Sequence, residues 1–187
     1  MTIGFAMCGS FCTFAEVFPI IELLARDYTV IPIFSTAAAT IDSRFGTAAE
    51  HMALATEICG KSPLKTITEV EPIGPKKLLD ALIVAPCTGN TLAKLAHSIA
   101  DTPVTMAVKS HLRNGRPVII ALSTNDALGG AAENIGKLLG RKHYYFVPFR
   151  QDDALHKPTS MIADFHRIHE TLNAALIGRQ LQPLLQL

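Results

Sequence analysis

The chain has 187 residues, a length typical of one compact domain. Its 17 basic and 16 acidic residues give a net charge of +1, and 49% of its residues are hydrophobic. This balance excludes a basic surface built for nucleic acid, and the apolar content excludes an intrinsically disordered chain. Every apolar run is far shorter than the ~20 residues of a membrane span, and no basic residue precedes Arg26. We therefore expect no membrane segment, no signal peptide and a cytoplasmic location.

The chain has four cysteines, Cys8, Cys12, Cys59 and Cys87, which form no C-x-x-C pair. A disulfide scaffold is normally shorter and richer in cysteine, so these residues are interpreted as free thiols in a reducing compartment. Because no second pair of ligands has suitable spacing, no metal site is expected.

Apolar periodicity predicts strands and helices that alternate along the chain. The predicted strands are 3–7, 28–34, 65–70, 81–85, 118–122 and 144–149. The predicted helices are 14–26, 47–59, 90–100, 102–112, 128–139 and 160–176. Pro19 is expected to delay or bend the first helix, and Pro86 to end the central strand.

Strands that are apolar on both faces and alternate with helices are typical of a parallel sheet covered on both sides. The prediction is a single α/β domain over residues 1–187, with three αβα layers and a doubly wound, mostly parallel sheet. The apolar tail, residues 177–187, is expected to dock on a neighbouring subunit.

Three loops of small and hydroxyl residues follow predicted strands, and they contain Gly9-Ser10, Ser35-Thr36 and Pro86–Thr91. In open parallel sheets, ligands bind at the carboxyl ends of the strands. Small residues let backbone amides approach an anion, and a helix N-terminus adds partial positive charge. The pattern favours a phosphate-bearing cofactor held by amides and hydroxyls, although each hydroxyl could instead only cap a helix.

Neither common nucleotide fingerprint occurs in the sequence. No G-x-G-x-x-G opens the first helix, and no G-x-x-x-x-G-K-[ST] is present. After the second strand the chain reads Phe34-Ser35-Thr36, with no acidic residue for a ribose. NAD(P) bound by this chain alone is therefore not expected.

The stretch from Ala85 to Ala96, continuing to Asp101, resembles the signature of the flavoprotein family, with Thr88 where the family has serine. That family includes flavin-dependent cysteine decarboxylases and flavin prenyltransferases. The resemblance implies a Rossmann-like fold that binds FMN. The cofactor-binding residues it implies are Gly9, Ser10, Phe11, Ser35, Thr36, Pro86, Cys87, Thr88, Gly89, Asn90, Thr91 and Ala121.

Segments 4–14, 43–48 and 123–129 resemble one branch of this family. The resemblance implies an oxidoreductase subunit that helps to convert a dihydropyridine dicarboxylate to pyridine-2,6-dicarboxylate during sporulation. It also implies a partner subunit that carries NADP, and a homo-oligomer, a trimer or a multiple of one. Two alternatives stay open: a non-catalytic scaffold for that partner, and a flavin-dependent decarboxylase or prenyltransferase of unknown substrate.

Departures from the family pattern weaken the last alternative. The decarboxylases place a histidine before the central strand, where this chain has Ile73-Gly74-Pro75-Lys76-Lys77-Leu78. Their P-x-M-N-x-x-M-W segment also keeps only its asparagine here, at Asn125. The prenyltransferases carry an arginine where Ser123 stands. The resemblance therefore does not extend to the residues that mark the decarboxylases or the prenyltransferases.

Candidate substrate contacts are Arg44, Lys109 and Asn125, because carboxylates favour Arg and Lys donors. Lys109 belongs to a cluster with His111 and Arg113, which could instead only complement the end of a helix. The Cys87 thiol is either activated by a helix N-terminus or a small apolar filler. No residue is identified as a catalytic base.

Overall fold

The protein is described by a computed structural model that covers residues 1–186. Leu187, the last residue of the expected tail, lies outside the described residues. Seven strands form a single sheet. They are β1 (Thr2–Met7), β2 (Thr29–Phe34), β3 (Ala81–Cys87), β4 (Val118–Thr124), β5 (Tyr144–Phe146), β6 (Phe149–Arg150) and β7 (Met161–Ala163).

The sheet is parallel in its first five strands. β1 lies between β2 and β3, β4 follows β3, and strand order therefore reverses between β1 and β3. On its far edge β4 pairs with β5 in parallel through residues 118–120, and then with β7 in antiparallel through Ser123 and Thr124. β6 extends this antiparallel part. The prediction of a mostly parallel, doubly wound sheet is confirmed.

Helices cover both faces of the sheet. They are α1 (Phe14–Asp27), α2 (Thr36–Thr40), α3 (Ala48–Cys59), α4 (Ile67–Val70), α5 (Gly89–Ala96), α6 (Pro103–Leu112), α7 (Ala132–Leu139) and α8 (Ile168–Leu176). α1 packs with α3 and with the turn before α8, whereas α4 and α5 pack with α6, and α5 with α7. Fully buried Phe5, Phe34 and Phe146 belong to the core between these layers. The three-layer architecture is confirmed.

Pro19 does not delay the start of α1, and Pro86 does not end the central strand. α1 runs from Phe14 through Pro19, and both Pro19 and Ala15, whose carbonyl loses its helical donor, are exposed to solvent. The β3 strand continues past Pro86 to Cys87, and its register with β4 shifts at this point. A residue without an N–H is tolerated at such an irregularity because it leaves no ladder hydrogen bond unmade.

Two predicted elements are wrong. Residues 65–70 form no strand, because Thr66 caps the single-turn helix α4. The helix predicted to begin at residue 160 begins only at Ile168, because Met161–Ala163 forms β7 beside β4. The apolar residues of this segment lie against a strand that is distant in sequence, which periodicity within the segment does not reveal.

Several boundaries also differ. The predicted helix 90–100 ends at Ala96, helix 128–139 begins only at Ala132, and the last predicted strand is split into β5 and β6. The loop predicted at residues 35–40 contains α2.

The tail packs on its own chain. The Gln180 side chain accepts a hydrogen bond from the Phe146 amide (2.8 Å) and donates one to the Phe146 carbonyl (2.7 Å). Phe149 donates to the Leu184 carbonyl and accepts from the Gln186 amide. The tail thus follows the edge formed by β5 and β6, and its docking on a neighbouring subunit stays a prediction.

None of the helices within residues 1–186 combines the length and apolar character needed to cross a bilayer.

Candidate functional site

The carboxyl ends of β2, β1, β3 and β4 lie side by side at one edge of the sheet. Short loops follow each of them, and they hold Ser35, Ser10, Thr88 and Asn125 respectively. The reversal of strand order between β1 and β3 leaves a crevice at this edge, where ligands bind in open α/β sheets. The predicted cofactor loops are therefore brought together.

Ser10, in the loop after β1, and Ser123, near the end of β4, contact each other across the end of β3. Their hydroxyl oxygens are 2.8 Å apart, and Ser123 is buried. Each hydroxyl has a further lone pair or proton for a ligand. Ser123 thus provides a neutral hydrogen-bonding group where the prenyltransferases carry an arginine.

The third loop begins α5 through the Thr88 cap. The Thr88 hydroxyl accepts a hydrogen bond from the Thr91 amide (3.3 Å) and donates to the Thr91 hydroxyl (3.2 Å), which contacts the Cys8 sulfur at 3.3 Å. The amides of Gly89 and Asn90 are the first two of the helix and have no carbonyl partner within it. These amides and the helix dipole favour an anion.

Ser35 has a structural role as well. Its amide donates to the Met7 carbonyl (2.9 Å), and its hydroxyl accepts from the Ala38 amide (3.2 Å) at the start of α2. The Ser35 hydroxyl therefore caps α2, which was one of the two alternatives for this loop. Thr36, one residue later, is exposed and lines a cavity at this edge.

Two cavities open at this edge and meet at Gly9 and Thr88. The larger cavity, of about 530 Å³, includes Ser10, Phe11, Cys12, Ser43, Arg44, Phe45, Gly89, Ser123, Thr124, Asn125, Asp126, Asp152, Lys157, Ser160, Met161 and Ile162 in its lining. The smaller cavity, of about 380 Å³, includes Ser35, Thr36, Ala37, Asn90, Thr91, Lys94 and Thr102.

Pro86, Cys87 and Ala121 line neither cavity, because all three are buried within β3 and β4. Burial raises the pKa of the Cys87 thiol well above its usual value, and the nearby Cys8 adds to this effect. Burial also raises the pKa of the Cys8 thiol to about 11. Burial and the raised pKa favour the role of Cys87 as a small apolar filler.

Arg44 and Asn125 line the larger cavity from opposite loops. The Arg44 guanidinium lies 4.8 Å from the centre of the Phe45 ring, and it forms no ion pair within residues 1–186. The Asn125 side-chain oxygen accepts from the Ser160 hydroxyl (3.3 Å). Arg44 is thus available to an anionic ligand in this cavity.

Lys109 does not join this site, contrary to the expectation for it. α6 starts near the carboxyl edge of the sheet and runs back, so its last turn lies at the opposite, amino edge, where Lys109 borders a separate cavity. His111 is fully buried, and burial lowers its pKa to about 4. It is therefore neutral near pH 7 and contributes no charge for a carboxylate.

Several lining residues were missed in the sequence. Asp152, Lys157 and Ser160 come from the loop between β6 and β7, and the Lys157 ammonium lies 3.3 Å from the Asp152 carboxylate. This loop reaches the cavity only because β7 pairs with β4. The local sequence therefore does not predict its position. Thr102 and Lys94 complete the smaller cavity, and Thr102 was identified only as the start of a helix.

No group of three or more His, Cys, Asp or Glu side chains gathers into a metal site in the described part of the chain, residues 1–186.

The similarity of the chain to known proteins extends over most of its length. A family model described as Flavoprotein matches residues 1–150. The dipicolinate synthase B subunit of Bacillus subtilis (strain 168) is 41% identical over 184 residues, which cover 98% of this chain and 92% of that protein.

Solved structures agree with the family match. The crystal structure of the dipicolinate synthase B subunit from Bacillus halodurans has a TM-score of 0.91 and 40% identity, covering 100% of this chain and 96% of that chain. The FMN-dependent cysteine decarboxylase SpaF shares the fold, with a TM-score of 0.70 and 21% identity over 94% of this chain and 97% of that chain. The chain therefore belongs to the Flavoprotein family, and along its whole length it is similar to the B subunit of dipicolinate synthase.

Proposed function

We propose that this chain is an FMN-binding subunit of a dipicolinate synthase. It would act with an NADP-binding partner, the A subunit of that enzyme, to oxidise a dihydrodipicolinate precursor to pyridine-2,6-dicarboxylate, in the mother-cell cytoplasm of a sporulating bacterium. The observation that carries the proposal is the pair of cavities that meet at Gly9 and Thr88. The similarity to the B subunit over nearly the whole chain supports it.

The lining of the two cavities suits the two ends of FMN. In the smaller cavity, hydroxyls surround the start of α5, whose Gly89 and Asn90 amides and dipole suit a phosphate. The larger cavity is lined by Phe11, Phe45 and Ser10, among others, which suits a flat ring with polar edges. When bound, the flavin supplies a two-electron acceptor.

Packing around Gly9 would keep the backbone close to the ligand. A Cβ added at Gly9 would lie 3.3 Å from the Ala37 Cβ, which is tighter than an ordinary contact. A larger residue would move the first loop away from α2 and change the shape of the site where the two cavities meet. Gly9 thus supports a site in which backbone amides, rather than long cationic side chains, contact the cofactor.

Residues of the larger cavity would orient the substrate. Arg44 would bind a carboxylate of the dihydropyridine ring, since a guanidinium forms two parallel hydrogen bonds with a carboxylate. Asn125, fixed by Ser160, would hold a second polar group. The chain's own contribution is then orientation of the ring, because aromatisation supplies the driving force.

The first test is the visible absorption spectrum of the purified protein, with mass spectrometry of any small molecule that heating releases. About one FMN per chain, retained or taken up in equilibrium dialysis, is expected. A colourless protein that takes up no FMN would overturn the flavoprotein proposal. If that protein still raised the activity of its NADP-binding partner, a scaffold role would replace it.

Asn90→Asp tests where the phosphate binds. An acid at the second residue of α5 favours the helix but places negative charge beside the proposed phosphate, so FMN affinity should fall at least about tenfold without loss of thermal stability. Asn173→Asp, at an exposed position of α8, is the matched control. Equal FMN affinity of the two variants would contradict the assigned phosphate position.

Oligomerisation is part of the same proposal. Ile177 is 69% exposed and Leu185 is 65% exposed, and both belong to the tail that packs along β5 and β6. Apolar side chains that stay exposed next to a packed segment are typical of surfaces covered by another subunit. We propose a homo-oligomer, a trimer or a multiple of one, and mass photometry would check the subunit number.

A further inference from the structure

A further cavity, separate from the two cavities of the proposed flavin site, opens at the amino edge of the sheet. It has a volume of about 440 Å³ and lies between the ends of α5 and α6 and the start of β5. It shares no residue with the two cavities at the carboxyl edge. A volume in this range is typical of pockets that hold small molecules.

The walls of this cavity are apolar. Leu95 and Val108 are buried and come from α5 and α6, and the Tyr144 ring lies at the start of β5. Burial raises the pKa of Tyr144 to about 12, so its phenol is neutral. Ile99 stands at the mouth and remains 46% exposed. The interior therefore suits an apolar body rather than a polar one.

The rim of the cavity is positively charged. Lys109, Arg113 and Lys142 border it, and no Asp or Glu of the described chain does. These three side chains make no ion pair within residues 1–186. An unopposed cluster of cations beside an apolar cavity favours a ligand that carries an anionic group.

Arg141 has a different role, because it holds the wall in place. Its guanidinium donates to the carbonyls of Leu95 (3.1 Å) and Ala96 (2.7 Å), the last residues of α5. It also lies 3.4 Å from the hydroxyl of Ser98. Arg141 therefore shapes the cavity and leaves ligand binding to the three cations of the rim.

Two residues of the lining have a backbone conformation that favours glycine. Ser98 has φ +60° and His143 has φ +70°. Ser98 follows the end of α5, and the next amide, that of Ile99, donates to the Lys94 carbonyl (2.8 Å). A glycine is usual at this position of a helix end. Strained backbone concentrated at one cavity is typical of binding sites.

We propose that this cavity is a binding site for a small aromatic carboxylate. The aromatic body would lie between the side chains of Ile99 and Val108, and the carboxylate would contact Lys109 and Arg113. This inference does not depend on flavin binding, because the two sites occupy opposite edges of the sheet.

The test is a methyl-NMR titration of the full chain with 2-naphthoate and, separately, with the uncharged 2-naphthalenemethanol. The methyl signals of Ile99, Val108 and Leu112 should shift, and the carboxylate should bind about tenfold more tightly than the alcohol. Shifts confined to Met161 and Ile162, in the larger cavity, would overturn the proposal. No shift with millimolar naphthoate would overturn it too.

Charge-removing variants complete the test. In Lys109→Gln/Arg113→Gln, whose altered side chains are exposed, the preference for the carboxylate over the alcohol should disappear. The control, Lys61→Gln/Arg179→Gln, removes the same charge from exposed positions elsewhere and should keep the preference. If both double variants retain it, the rim does not bind the carboxylate. If naphthoate leaves the methyls unchanged and only the NADP-binding partner shifts them, the cavity is a protein contact and the proposal fails.

Discussion

At Gly89 the backbone of α5 lies close to the end of β4 and the loop that follows it. An added Cβ would lie 2.6 Å from the Thr124 hydroxyl and 2.9 Å from an Asp126 carboxylate oxygen. The Thr124 hydroxyl donates to this carboxylate, so neither group is free to move alone. The absence of a side chain at Gly89 therefore sets the distance between the two loops that border the larger cavity.

Gly89→Ala should push these loops apart and lower the free energy of unfolding by about 1–3 kcal/mol, as overpacking commonly does. FMN affinity should fall as well. The matched control is Gly136→Ala in α7, where an added Cβ meets nothing within 4 Å. The control should stabilise the protein by about 0.5–1 kcal/mol, because alanine is the better helix former. Urea denaturation would measure both changes, and equal effects would contradict the close approach at Gly89.

The sequence was sufficient to identify the loops of the site, but not all the side chains that reach it. Ser10 and Thr88 follow strands whose carboxyl ends must meet in a parallel sheet, and both line the cavities. The prediction for Lys109 is wrong because its position along α6, rather than its charge, decides which edge of the sheet it reaches. Lys157 was not identified, because its position depends on the distant pairing of β7 with β4.

At the scale of elements, the start of α4 shows how capping outweighs strand propensity. The Thr66 hydroxyl accepts from the Glu69 amide, and the Glu69 carboxylate accepts from the Thr66 amide (2.9 Å). Hydrogen bonds from the Lys65 amide and from Thr66 hold the pKa of Glu69 below its usual value. The T-x-x-E pattern in the sequence is a capping signature, whereas the β-branched residues around it favour a strand.

Thr66→Ala should lower the free energy of unfolding by about 1 kcal/mol, because it leaves a helix amide without its cap. Thr66→Ser keeps the hydroxyl and should be within a few tenths of a kcal/mol of the native protein. Thermal unfolding followed by circular dichroism would compare the two variants. Equal losses in both would show that the methyl group of Thr66, rather than the cap, contributes the stability.

β7 marks the limit of prediction for the elements. Met161–Ala163 has too few residues to establish a period, and its apolar side chains fit a helix pattern equally well. The strand forms because Ser123 and Thr124 extend past the end of β5 and leave an edge of β4 open for pairing. The local sequence of β7 does not show that a distant strand has an unpaired edge.

At the scale of the whole molecule, His111 makes stability depend on pH. It is fully buried, its Nε2 lies 3.1 Å from the Pro117 carbonyl oxygen, and its Nδ1 has no partner within residues 1–186. Burial lowers its pKa from 6.5 to about 4. The unfolded chain therefore binds the proton more tightly than the folded protein between these two values, and stability falls as the pH drops through this window.

The contribution of His111 to the free energy of unfolding should be fully present above pH ~6.5. It should decrease by about 3 kcal/mol on acidification to pH ~4. His111→Gln keeps a donor near Pro117 but has no titrating group, so its stability should decline less over the same window. Urea denaturation at several pH values would give the slope of the unfolding free energy against pH for the native protein and for the variant. Parallel slopes would contradict a neutral buried imidazole.

The tail has a further consequence for how copies of the protein assemble. An open strand edge exposes unpaired amides and carbonyls, to which another chain can add as an extra strand. The Gln180 side chain occupies both backbone groups of Phe146, and the backbone of residues 184–186 occupies those of Phe149. Assembly by continuing the sheet from one molecule into the next is therefore blocked at this edge, and any oligomer there must form through side chains such as Ile177 and Leu185.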